Sequence, residues 1–411
     1  MNFVDRSFFP NSSKTQAIAK SARKKFTLLK TVYQIEKTSV NELMKKLDLS
    51  FPTLNTLIVD LVKQNLLIQH ERGESVGGRK PNLYQLNNNL FKVLTIELDK
   101  FGCFLTIVDN NGNLLNKTKR HSLQLSRDLS QLNQFYDTIR TYVEEESIAW
   151  DDISGISISM PGLIDKVTGD NYTYFYEPNF HLELEIEKVF HKKTRIINDS
   201  KIYSLTEQQL GKLRNRQDGL IIRLDWGISL GIITNGEVYM GKNGFSGEMG
   251  HISFVDDGEL CYCGKRGCLE TLVSGVALVK KAIHDIENGI PTLIANKFKN
   301  HDLQPIHIIQ AALDGDQYAI QLISELGTIL GKAISFFLQV FNPEAIVLVG
   351  QFAKASTLIT TPILQQIQTY SMTRISSNCE IHVSNLSDTA IPTGLARYFV
   401  QRYFEDKLNL N

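Results

Sequence analysis

The segment Gly247–Thr271, G-E-M-G-H-I-S-F-V-D-D-G-E-L-C-Y-C-G-K-R-G-C-L-E-T, gathers three of the chain's five cysteines, Cys261, Cys263 and Cys268. His251 lies upstream of them, and the carboxylates Glu248 and Glu270 flank the group. Three thiolates and one imidazole make the full ligand set of a closed tetrahedral zinc site, with no position left for a reactive water. Gly264 and Gly267 allow the tight turns that Cys-x-Cys-x4-Cys needs to converge on one ion. The other reading is a set of unrelated core cysteines, but such clustering of Cys and His is a metal signature. The expected cofactor is zinc.

The same residues carry a family resemblance. Glu248-Met-Gly-His251, nine residues, then Cys261-Tyr-Cys-Gly-Lys-Arg-Gly-Cys-Leu-Glu270 resembles the signature of the ROK family, which contains bacterial sugar kinases and sugar-responsive repressors. The resemblance runs with varying strength from about Phe26 to the C-terminus. It implies that His251 holds zinc through one ring nitrogen and a sugar hydroxyl through the other, as metal-bound imidazoles allow. It also implies that Glu248 and Glu270 contact the sugar.

With 411 residues, the chain is expected to form two to three domains. No run approaches the roughly 18 apolar residues of a membrane span, so no membrane partner is expected. The start, M-N-F-V-D-R-S-F-F-P-N, lacks the order of a secretory signal. Two cysteines beyond the cluster, Cys103 and Cys379, fit a reducing cytoplasm better than a disulfide framework. A zero net charge hides an asymmetry, because residues through Gln85 hold 14 Lys/Arg against 7 Asp/Glu. A basic head on an acidic body points to a polyanionic partner for the head.

That head reads as a winged helix-turn-helix. Phe26, Leu29, Val32 and Tyr33 have helical spacing, and Ser39-Val-Asn-Glu42 fits a capping box before the next apolar stripe. Asp48-Leu49 makes the turn, with Ser50 as cap and Pro52 in the first turn of a third helix. There Leu54, Leu57, Ile58 and Leu61 face inward, leaving Thr53, Asn55 and Thr56 for base edges in the major groove of duplex DNA. Leu66–Glu71 and Asn82–Leu86 read as wing strands. Between them Gly77-Gly-Arg79-Lys80-Pro81 resembles the linker of ROK repressors, with Arg79 and Lys80 suited to a narrow minor groove. The bland alternatives are a structural three-helix unit and a solvated hinge. ROK kinases lack such a head, so the resemblance favours the repressor branch.

The body is expected to be an α/β, two-lobed, actin-like sugar-kinase fold whose ligand lies between lobes. The expected division is a head over 1–86, a first lobe over 87–200 with 390–411, and a second lobe over 201–389. Strands are expected at Val93–Asp99, Phe104–Asp109, Leu114–His121, Ile153–Ser159, Arg195–Asn198, Leu220–Leu224, Leu230–Thr234 and Ala345–Gly350. Helices are expected over Ser126–Glu146, from Gly275 to about Gln339, and over Thr393–Phe404. The sequence displays no internal repeat, low-complexity tract or heptad seam. Met160-Pro-Gly162 resembles the family's sugar-side loop, and Asn198-Asp199 its sugar-binding pair, whose aspartate is the general base in the kinases. Read alone, Asn-Asp-Ser would serve as a helix cap.

On the nucleotide side the chain departs from the kinases. Where they carry D-x-G-G-T-K, this chain has Glu97-Leu-Asp99-Lys-Phe101-Gly102. Where they carry G-T-G-x-G-G-G, it has Asp225-Trp226-Gly-Ile-Ser-Leu-Gly231, and the adenosine-side glycines reduce to Gly350-Gln-Phe352. A phosphate nest needs close backbone approach and inward donors, which these side chains obstruct. Asp199 is therefore a vestigial base position. The reading is a sugar-responsive repressor, no longer an enzyme, binding a sugar or sugar phosphate through Gly162, Asn198, Asp199, Glu248, His251 and Glu270. It is expected to act as a homodimer or dimer of dimers. The alternatives are a zinc-containing ROK kinase with an accessory DNA-binding head, and a repressor controlled by a partner protein.

Overall fold

A computed structural model describes residues 16–70, 81–100, 102–295 and 303–409. The chain forms two compact units: unit 1 holds 1–162, 168–197 and 391–411, and unit 2 holds 163–167 and 198–390. The head is grouped with the first body sheet, and the chain passes to unit 2 at Ile197–Asn198.

Unit 1 opens with α1 (Gln16–Ile35), β1 (Thr38–Ser39), α2 (Val40–Leu47), α3 (Phe51–Lys63), β2 (Leu67–His70) and β3 (Leu83–Leu86). The capping box forms: the Ser39 N–H donates to Glu42 Oε2 at 3.0 Å, and the Glu42 N–H donates to Ser39 Oγ at 3.3 Å. Asp48 takes the left-handed conformation at φ 51°, which ends α2 and sets the turn into α3. Ser50 stands at the start of α3, but its hydroxyl meets the Thr53 hydroxyl at 3.0 Å instead of a backbone N–H. Strands β1, β3 and β2 form the antiparallel wing sheet in that order.

The body of unit 1 adds β4 (Lys92–Leu98), β5 (Gly102–Asp109), β6 (Lys119–Ser122), α4 (Leu132–Glu145), β7 (Gly155–Met160), α5 (Leu182–Phe190) and β8 (Thr194–Asn198). Its sheet order is β6-β5-β4-β7-β8. Unit 2 contains α6 (Asp199–Leu210), β9 (Gly219–Leu224), β10 (Ile228–Thr234), β11 (Glu237–Val238), α7 (Glu270–Val273), α8 (Gly275–Glu287), α9 (Pro305–Leu313) and α10 (Gln317–Phe341). It continues with β12 (Ala345–Val349), α11 (Thr357–Tyr370), α12 (Thr373–Ser376) and β13 (Glu380–Val383). The order β11-β10-β9-β12-β13 repeats that of unit 1, with matching antiparallel and parallel neighbours. The repeat is one of topology alone, since equivalent strands carry unrelated residues. The strand expected from Leu114 is also shorter, since Leu114 makes only an isolated bridge with Val108 and β6 begins at Lys119.

The last helix, α13 (Ala390–Asn409), runs into unit 1 and joins head to body. Phe26, Leu29 and Leu61 of the head share one core with Phe91, Val93, Phe399 and Phe404. Tyr33 and Phe404 lie 6.2 Å apart, Arg397 donates to Glu36 Oε1 at 2.8 Å, and Lys30 pairs with Glu405 at 3.5 Å. In unit 2, α10 buries Leu322, Ile323, Leu326, Leu330, Ile334 and Leu338 at helical spacing against β9 and β12. By length and composition alone α10 could cross a membrane, but half of that apolar stretch is buried inside the unit.

Candidate functional site

The site grows from the start of α6 and the turns around the cysteine cluster, all within unit 2. Asn198 caps α6, its Oδ1 accepting the Ser200 N–H at 2.9 Å and the Ser200 hydroxyl at 2.6 Å. Asp199 is the first helical residue, and its Oδ1 also accepts the Ser200 N–H, at 2.8 Å. Its Oδ2 pairs with the Arg223 guanidinium from β9. That guanidinium also reaches Asp225 Oδ2 at 3.0 Å and lies 4.7 Å from the Tyr203 ring centroid.

Glu248 and His251 bracket a single tight turn, Met249–His251, and Glu270 begins α7 two residues after Cys268. Burial raises the Glu248 carboxyl to about 7, with Lys201 opposing the rise and Asp199 adding to it. Glu270 is likewise raised to about 7 by burial, then by Glu248 and Asp199. Glu248 thus feels Asp199, and Glu270 feels both Glu248 and Asp199. Lys201 is the buried cation beneath them, 2% exposed, with Nζ donating to the Ser246 carbonyl at 2.5 Å and the Ser246 hydroxyl at 2.6 Å. Burial lowers its ammonium to about 8, against the attraction of Glu248 and Asp199.

The four expected metal ligands converge: the donor atoms of His251, Cys261, Cys263 and Cys268 lie within 4.8 Å of one another. His251 Nδ1 is 3.6 Å from Cys261 Sγ, and Cys263 Sγ is 3.6 Å from Cys268 Sγ. Zinc–sulfur bonds of about 2.3 Å imply tetrahedral edges of about 3.8 Å, so the donor set fits a zinc-sized ion. Burial and then the neighbouring thiols push Cys268 up to about 12, an ionisation cost that a bound cation offsets. Gly267, at φ 69°, has no room for a side chain, because a Cβ there would lie 1.8 Å from the Val255 carbonyl oxygen. The other imidazole nitrogen, Nε2, meets the Tyr262 hydroxyl at 2.9 Å and lies 3.9 Å from Glu270 Oε2.

Gly162 belongs to unit 1, where its φ of 105° and the 2.6 Å approach of a Cβ to Asn171 Oδ1 account for the glycine. In the head, Asn55 and Thr56 are exposed and Thr53 is half-buried, while Thr56 donates its hydroxyl to the Pro52 carbonyl at 2.9 Å. Arg79, Lys80 and Phe101 lie outside the described residues. Sequence reasoning missed Lys201, Arg223 and Tyr262 in the site. Tyr262 could have been found from its place between two ligands; Arg223 and Lys201 sit in no motif.

Comparison with known proteins settles the family. A family model described as ROK family matches residues 95–402. The chain belongs to the ROK family. It is 26% identical to a xylose repressor of Caldicellulosiruptor bescii over 378 residues, covering 90% of this chain and 93% of that protein. It is 26% identical to the DNA-binding transcriptional dual regulator NagC of Escherichia coli K12, covering 79% of this chain and 80% of that protein. Among solved structures, a ROK family transcriptional regulator described as a homologue of the E. coli MLC protein aligns with a TM-score of 0.78 at 25% identity. That alignment covers 94% of this chain and 98% of that one. A ROK family glucokinase from Streptomyces griseus aligns with a TM-score of 0.63 at 22% identity, over 75% of this chain and 98% of its own. The kinase likeness supports the actin-like fold of the body; the regulator likeness extends over the head as well.

Proposed function

We propose that this ROK protein is a sugar-responsive transcriptional regulator, a repressor that binds operator DNA through its winged helix-turn-helix head. Unit 2 receives a sugar or sugar phosphate at Asn198, Asp199, Glu248, His251 and Glu270. One observation carries this reading. The hydroxyl-binding carboxylates stand together beside a zinc-type donor set, yet Asp199 is ion-paired with Arg223. A general base must present an oxygen to the hydroxyl it deprotonates, whereas both Asp199 oxygens already accept donors, Oδ2 from the Arg223 guanidinium and Oδ1 from the Ser200 N–H. Asp199 then serves as a hydrogen-bond acceptor for a sugar hydroxyl. The substitutions at Asp99, Phe101, Asp225 and Trp226 agree with binding without phosphoryl transfer.

Zinc, when bound by His251, Cys261, Cys263 and Cys268, fixes the turn that carries Glu248 and the start of α7 that carries Glu270. A sugar hydroxyl reaches His251 Nε2 by replacing the Tyr262 hydroxyl. Thr53, Asn55 and Thr56 face base edges, and Arg79 and Lys80 enter the minor groove. The assembly is a homodimer or dimer of dimers reading paired half-sites in the cytoplasm, with no membrane partner. Sugar acts by population shift: it binds more tightly to an arrangement with low operator affinity. Coupled ATP assays across hexoses, amino sugars and pentoses, run beside footprinting on genomic DNA, test the reading. Protection that depends on residues before Leu86 with no turnover is expected. Sustained turnover that disappears in Asp199→Asn would establish a kinase instead.

A further inference from the structure

Asp225 sits at the turn of the β9–β10 hairpin, and its surroundings resemble a place for a bound anion. One carboxylate oxygen accepts the Gln351 N–H at 2.7 Å, and the other meets Arg223 Nη2 at 3.0 Å. Beside it Gly350 has φ 94°, and a Cβ there would lie 3.0 Å from the Asp225 carboxyl carbon and 2.5 Å from the Leu224 carbonyl oxygen. A guanidinium, an inward main-chain N–H and a glycine that permits close approach are the donors and space by which proteins hold phosphate oxygens. The backbone of Asp225 is fixed as well, its N–H donating to the Gly227 carbonyl at 3.0 Å and its carbonyl accepting the Gly275 N–H at 2.9 Å. The side chain is 14% exposed, so the position is occupied from within the fold.

We propose that the Asp225 carboxylate is an internal anion that fills a phosphate-oxygen position formed by Arg223 and Gln351. Arg223 links it to Asp199, so the sugar-side carboxylate is held without any nucleotide. The inference goes further than charge repulsion. Repulsion alone predicts that the hairpin lacks an anion site, whereas occupation predicts a site that opens when its occupant is removed. It rests on the non-phosphorylating reading above but is tested apart from it.

Inorganic pyrophosphate is the probe, followed by calorimetry and thermal shift on the full chain. Zinc content and far-ultraviolet circular dichroism verify that each variant folds. Wild type should bind pyrophosphate weakly or not at all. Asp225→Gly should gain at least about tenfold in affinity, since two charge-assisted donors become available. The gain should vanish in Asp225→Gly/Arg223→Met. Asp225→Asn keeps the side chain's shape while removing its charge, so it should gain by a smaller factor; it decides the matter if the glycine variant does not fold. A folded variant with no gain, or a gain that survives loss of Arg223, overturns the internal anion while leaving the regulator reading intact. Wild-type binding as tight as that of Asp225→Gly also overturns it. Productive use of ATP by the wild type would sink both.

Discussion

The two units share one sheet order, and each sheet opens with an antiparallel hairpin whose turn begins with aspartate, yet they have been put to different uses. In unit 1 the Asp99 N–H donates to the Gly102 carbonyl at 3.0 Å, and in unit 2 the Asp225 N–H donates to the Gly227 carbonyl at 3.0 Å. Beyond this the likeness ends. Unit 1 shares its core with the DNA-binding head through Phe91, Phe399 and Phe404. Unit 2 gathers Asp199, Lys201, Arg223, Glu248, His251 and Glu270 around a metal-type cluster. One scaffold thus mounts the head in unit 1 and carries the proposed sugar receptor in unit 2. The difference lies mainly in what the connections between strands carry: Asp199 and Lys201 sit on α6, Glu248 and His251 on a turn and Glu270 on α7, with only Arg223 on a strand.

Variants in unit 2 should therefore disturb metal and ligand while sparing ligand-free DNA binding, and variants in the head should do the reverse. The largest effect is expected for Cys263→Ser. Metal analysis should fall from about one zinc per chain to nearly none, because a structural site needs all four ligands. Full metal content in that variant would break the ligand assignment. Next, Glu248→Ala and Glu270→Ala should abolish the effect of sugar on operator affinity, a coupling of about 5–150-fold in ordinary allosteric regulators. Loss of ligand-free DNA binding in either variant would erase the division between the units.

Lys201 gives a pH test of the receptor. Its folded pKa is depressed from 10.5 to about 8, so between those values the unfolded chain binds the proton and the folded chain does not. Stability from this group is complete above 10.5 and is lost as pH falls through 8. Relative to Lys201→Met, the wild type should gain up to about 3 kcal/mol as pH rises across that window, read by denaturant unfolding. A flat difference would show that the ammonium is not held as described. The smallest effect belongs to the head: Asn55→Ala should lose roughly 1–3 kcal/mol of discrimination at a single base position in operator competition. Uniform weakening across all sequences would place Asn55 on phosphates instead.

Much of this was legible in the residues because it depends on local spacing. Leu54, Leu57, Ile58 and Leu61 at i, i+3, i+4 and i+7 give α3 its buried face, and all four are buried. The Ser39–Glu42 box and Asp48 mark a helix start and a helix end that the backbone adopts. Cysteine and histidine spacing brings the donor atoms of His251, Cys261, Cys263 and Cys268 together. What escaped depends on distance along the chain. Arg223 meets Asp199 across 24 residues, and Arg397 meets Glu36 across 361 residues, so no window of sequence contains either pair. The repeated strand order escaped because hydrogen-bonded topology needs only strands in the right places, and equivalent strands carry unrelated side chains. Tyr262 reads as an exposed spacer until the fold turns its hydroxyl onto His251.

The central claim is that sugar bound in unit 2 alters operator affinity with no nucleotide involved. Fluorescence anisotropy of a labelled operator fragment, titrated with protein and without ATP, measures it directly. The comparison is between no sugar and a saturating concentration of whichever sugar stabilises the protein most against heat. The account predicts a 5–150-fold shift in operator Kd, of the usual allosteric size, absent in Glu248→Ala. A sugar that binds tightly and leaves the operator Kd unchanged would contradict it.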